Sequence, residues 1–106
     1  MRSSVALVLV AGSCALGCSP SWALTRTGVV ADARAADCDV RLLTLPPEGA
    51  YEEIGILDQS GHGDIRNAGA FLASVRPHVC AAGGNAIVPR MSATAQYMGG
   101  TVLLLR

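Results

Sequence analysis

Residues 64–84, Asp-Ile-Arg-Asn-Ala-Gly-Ala-Phe-Leu-Ala-Ser-Val-Arg-Pro-His-Val-Cys-Ala-Ala-Gly-Gly, decide how the chain is read. Ala68, Leu72, Val75, Val79 and Ala82 recur at steps of four, three, four and three, which lines one face of an α-helix, and Phe71 borders that stripe. Asp64 is the expected N-cap, because its carboxylate accepts the orphan N–H groups of a first turn. The predicted helix therefore runs from Asp64 to about Ala82. Pro77 lacks the N–H that would bond residue 73, so it is expected to break or kink the helix on the solvent side, opposite Val75. Gly83-Gly84 supplies a stop, with a glycine free to turn left-handed.

Strand patterns flank this helix on both sides. Val40–Leu45 (VRLLTL) is a predicted strand, ended by Pro46-Pro47 and a turn at Glu48-Gly49. Tyr51–Asp58 (YEEIGILD) is a second, with Ile54 and Ile56 on one face and Glu53 and Gly55 on the other. Gln59 to Gly63 reads as a loop. Ala86–Val88, limited by Pro89, is a short third strand, and Tyr97–Arg106 is a fourth, with a bulge or bend at Gly99-Gly100. The expected fold class is α+β, in the order ββαββ, with one small sheet packed on one helix.

The N-terminus has the layout of an export signal. Arg2 precedes an uncharged apolar run, Val5–Ala11, which is too short to span a bilayer, where roughly 20 residues are needed. Ala15-Leu16-Gly17-Cys18 resembles the lipobox of bacterial lipoproteins, in which the cysteine is lipidated and becomes the new N-terminus. Ala15 and Leu16 depart from the usual pattern, whereas Gly17 and Cys18 fit it. The competing reading is cleavage after Ala23 and soluble secretion. Ser19 after Cys18 resembles the signal for outer-membrane delivery. The expected organisation is a signal peptide over 1–17, a flexible tether over 18–37 and a folded domain over 38–106. Within that tether Trp22 either rests at the lipid headgroups or is a plain linker residue.

Four cysteines are present. Cys14 lies in the signal, and Cys18 is lipidated or removed, so both processing schemes leave Cys38 and Cys80. In an oxidising compartment these are expected to form one disulfide. The other uses of such thiols are a catalytic nucleophile and a metal ligand.

Formal net charge is zero, with eight arginines and no lysine, which argues against a dedicated nucleic-acid binder. Ser60-Gly-His62-Gly-Asp64 holds the residue types of a hydrolytic triad, but five consecutive loop residues rarely meet a triad's geometry, and a glycine turn is the better reading. The glycines do not spell a phosphate loop, which requires a lysine. His62 and His78, with Met91, Met98 or Asp64, offer copper or zinc ligands at a spacing that matches no zinc motif, and His78 reads first as a surface histidine. Glu52 and Glu53 are adjacent in a strand and face opposite ways, so they do not form a carboxylate pair.

Gly83-Gly-Asn-Ala-Ile-Val88, followed by Gly100-Thr-Val102 and preceded by Tyr51-Glu-Glu-Ile-Gly-Ile56, is similar to a pattern in small proteins of the YbjQ type and in the Rcs envelope-stress lipoprotein. There a helix ends in Gly-small-Asn/Asp-Ala, and a closing strand carries Gly-Thr/Ala-Val. The resemblance covers about half the chain and implies a lipid-anchored sensor or interaction domain held by disulfides. The chain departs from it in having two cysteines left for one bridge, where the stress sensor has two bridges. The expected function is a non-enzymatic binding, interaction or sensor module of the bacterial envelope, without cofactor, facing the periplasm or the surface from the outer membrane. The alternative is a soluble secreted enzyme or metal-binding protein using His62 and His78.

Overall fold

The structure, a computed structural model, describes residues 21–60 and 64–106. Cys18 and His62 lie outside those residues. Among the described residues the chain forms one five-stranded sheet and one helix. In chain order these are β1 (Trp22–Arg26), β2 (Arg41–Leu42), β3 (Tyr51–Gln59), α1 (Ala68–Ala81), β4 (Ala86–Met91) and β5 (Tyr97–Leu105). Across the sheet the order is β1-β3-β5-β4-β2, antiparallel except for the parallel β4–β2 pair. The α+β class therefore holds, with five strands where the sequence reading has four.

The added strand is β1, inside the stretch read as a tether. WALTR alternates partly buried and exposed positions over just five residues, too short a run to register as a period. Its partner makes it a strand: Trp22 to Arg26 pair antiparallel with Gln59 to Gly55. Residues 27–40 then run from this edge of the sheet to the other. Val29, Ala31 and Cys38 pack against the core on the way, and the Arg34 N–H donates to the Cys80 carbonyl at 2.7 Å.

β2 keeps two of the six residues predicted for it. Having reached the edge, the chain must return past β4 and β5 to become β3. Residues 43–50 make that crossing, with Pro46 beside Val88, Thr101 and Leu103. β4, in contrast, runs through Pro89 to Met91. The carbonyls of Asn85 and Ile87 point to β2, accepting from Arg41 and Leu43. Two residues on, Pro89 points the same way, beyond the end of β2, so its missing N–H leaves no gap in the ladder.

β3 carries a register irregularity between Glu53 and Gly55. An extra residue there changes the phase of the side chains. Ile54 and Leu57, an odd number of residues apart, both enter the core and are fully buried, while Ile56 is half-buried outside it. The second irregularity falls between Arg90 and Met91, opposite the β5 step from Tyr97 to Gly99. Gly99 has φ +153°, and a Cβ there would lie 2.0 Å from the Leu57 carbonyl oxygen, so the strands close up around a residue without a side chain.

α1 starts at Asn67, whose side chain accepts from the Ala70 N–H at 3.0 Å, and not at Asp64. The Ile65 carbonyl accepts from the Tyr97 N–H at 2.8 Å, which ties residues 64–66 to the start of β5 and delays the helix. α1 continues through Pro77 without a break. Pro77 and Ala73 are both exposed, so water can serve the carbonyl that Pro77 leaves free. At the other end Gly84 N–H bonds the Val79 carbonyl and Gly83 N–H bonds that of Cys80, with Gly83 at φ +90°: a Schellman stop. The buried stripe is Phe71, Val75, Val79 and Cys80, so Phe71 belongs to the stripe it was expected to border, and Ala68 is exposed. These side chains meet Ile54, Leu57, Ile87 and Val102 of the sheet.

Candidate functional site

Cys38 and Cys80 are bonded, with 5.9 Å between their Cα atoms. Cys80 is fully buried in the last turns of α1, and Cys38 stands at the end of the 27–40 crossing. The bridge fastens that crossing to the helix beside the Arg34–Cys80 hydrogen bond. As a disulfide, the pair is neither a free nucleophile nor a thiolate ligand set.

Trp22 belongs to the domain. Its indole N–H donates to the Ser74 hydroxyl at 2.8 Å, and its ring meets Phe71 edge-on, centroids 5.8 Å apart. Phe71 stacks in turn on Tyr97 at 4.6 Å. Three of the four aromatic residues thus bind β1, α1 and β5 together. Trp22 is not a free linker residue.

The remaining candidates are dispersed. His78 is exposed in the last turn of α1. Met91 is 44% exposed at the end of β4. Among the described residues no three His, Cys, Asp or Glu side chains gather as a metal site. Asp64 accepts from Gln96 Nε2 and from Arg66 Nε, both at 2.8 Å. The Gln96 hydrogen bond, opposed by slight desolvation and aided by the Arg66 charge, holds the Asp64 carboxyl below its ordinary value. That carboxylate is therefore fixed as an anion by its neighbours. Glu52 is paired with Arg106, and Glu53 accepts from the Thr27 hydroxyl. The two carboxylates thus have separate partners. Asp58 is paired with Arg90 at 2.5 Å across the Gly99 position.

Two of the concavities among the described residues lie on opposite faces of the sheet. A cleft of about 140 Å³ lies under the 43–50 crossing, between Pro46, Tyr51, Val88 and Leu103, with Glu53 at its side. Tyr51 and the neighbouring Leu45 are 41% and 74% exposed. A wider, open depression of about 450 Å³ lies where Val29, Val30 and Asp32 face Leu104 and the Glu52–Arg106 pair. Neither gathers a nucleophile with a base. The cleft was not legible in the sequence, because its wall is made by a connection whose path depends on strand order. No described helix is long and apolar enough to cross a membrane.

Comparison with protein-family models, curated proteins and solved structures found no match to this chain. The similarity to the YbjQ and Rcs patterns thus gains no support from them.

Proposed function

We propose that the chain is an exported bacterial envelope protein, lipidated at Cys18 and delivered to the outer membrane, whose stapled α+β domain serves as a non-enzymatic binding or sensor module. The observation that carries this reading is the Cys38–Cys80 bridge. Such bonds persist in oxidising compartments and are rare in the cytosol. The Arg2 and Val5–Ala11 signal pattern supplies the route out. The engagement of Asp58, Asp64, Glu52 and Glu53 with their own partners supports binding over catalysis.

The position of β1 bears on the processing site. Cleavage after Ala23 would cut inside β1 and discard Trp22 with its contacts to Phe71 and Ser74. Processing at Cys18 keeps the strand whole. It also shortens the tether: four extended residues reach at most about 14 Å, so an anchor at Cys18 holds β1 against the membrane surface. A single acyl chain binds weakly and two or more bind durably.

Intact-mass measurement on the membrane fraction tests the proposal. The expected mass begins at Cys18, carries acyl groups and lacks two hydrogens at Cys38 and Cys80. A full-length, reduced polypeptide in the cytosol overturns it.

A further inference from the structure

The two edges of the sheet are not alike. β2 is two residues long and is followed within four residues by Pro46-Pro47, which blunts it against pairing. β1 has five residues, no proline, no bulge and a charge only at its last position. Its hydrogen bonds can be placed by residue. Ser21 accepts from Ser60 N–H, and Thr27 N–H donates to Ile54, so the odd-numbered residues bond to β3. Trp22, Leu24 and Arg26 therefore aim their N–H and C=O groups away from the sheet, and among the described residues nothing pairs with them.

We propose that β1 pairs antiparallel with β1 of a second copy of this chain, about a two-fold axis at Leu24. The segment complements itself in that register. Leu24 meets Leu24, small Ala23 meets Thr25, and Trp22 meets Arg26, an exposed guanidinium without an ion pair among the described residues, placed beside an indole. All the outward-facing backbone groups find partners in a closed, isologous contact, the commonest kind. The two sheets become one ten-stranded sheet with a β2 at each end. This pairing does not require the anchor, although confinement to a membrane would raise the effective concentration of β1 edges.

Cysteine cross-linking reads the register. In the full chain, exported and oxidised under mild conditions, Leu24→Cys is expected to give a covalent dimer, since only position 24 meets its own copy at disulfide distance. Arg26→Cys is expected to give at least tenfold less. Leu24→Pro removes an N–H that faces outward, so β3 pairing survives while sedimentation velocity shows the dimer dissociation constant raised at least tenfold. Arg26→Glu, at an exposed side chain, is expected to weaken the dimer in the same way should Leu24→Pro fail to fold. A wild-type chain that stays monomeric across the accessible concentrations overturns the proposal. So do equal cross-linking at positions 24 and 26, or a cross-link to a different protein.

Discussion

Asp64 and Asn67 stand three residues apart, and either could cap a helix. Asn67 holds the role because its side-chain Oδ1 accepts from Ala70 N–H, while the Asp64 carboxylate is drawn to Gln96 and Arg66. Asn67→Ala should cost about 1 kcal/mol in chemical denaturation, the usual value of a lost cap. Asp64→Ala should leave the helix content seen by circular dichroism unchanged. Asp64 has a folded-state pKa below its unfolded value, so the stability it contributes is present above the ordinary 3.8 and is lost as pH falls through the lower folded value. Urea titrations below pH 4 should show a shallower loss of stability in Asp64→Asn than in the wild type. Because the side chain is exposed, the difference will be small.

At the scale of elements, α1 is held by a short apolar stripe whose largest side chain is Phe71. That ring is fully buried and touches Trp22 on one side and Tyr97 on the other. Phe71→Ala should destabilise the domain by roughly 3–5 kcal/mol, as measured by thermal or urea unfolding, since it opens a cavity and unseats β1 at once. β1 gives the sharper test of what a linker is. Removing residues up to 26 from a free tether would leave stability unchanged. Here it strips Trp22, Leu24 and the β3 ladder, and the melting temperature is expected to fall by several degrees.

For the whole molecule, two long connections shape the fold. Residues 27–40 cross the sheet on the α1 side, and residues 43–50 return over the opposite face. Both join strands distant in the sheet order, which makes the topology rich in non-local contacts and correspondingly slow to fold. The Cys38–Cys80 bridge, 42 residues in span, ties the first crossing to the helix. Closing a loop of that size restricts the unfolded chain by about 4 kcal/mol in the entropic account. A domain this small has only about 3–5 kcal/mol from its core. Reduction, or the Cys38→Ser and Cys80→Ser double variant, is therefore expected to unfold most of the population at 37 °C, with loss of near-ultraviolet circular dichroism as the measure.

Features carried by neighbours in the chain were legible before any tertiary contact was known. The i, i+3, i+4 stripe placed α1, Gly83-Gly84 stopped it, the strand patterns at Tyr51–Asp58 and Tyr97–Arg106 placed β3 and β5, and the count of cysteines paired Cys38 with Cys80. Tertiary structure alone decided the rest. It made Trp22–Arg26 a strand through β3, carried β4 past Pro89 through the absence of a neighbour there, and moved the cap from Asp64 to Asn67 through Tyr97. It also brought Pro46 over Leu103 to form a cleft. Each of these depends on what distant chain lies alongside, and a local pattern holds no information about whether a remote backbone will be there to form a hydrogen bond.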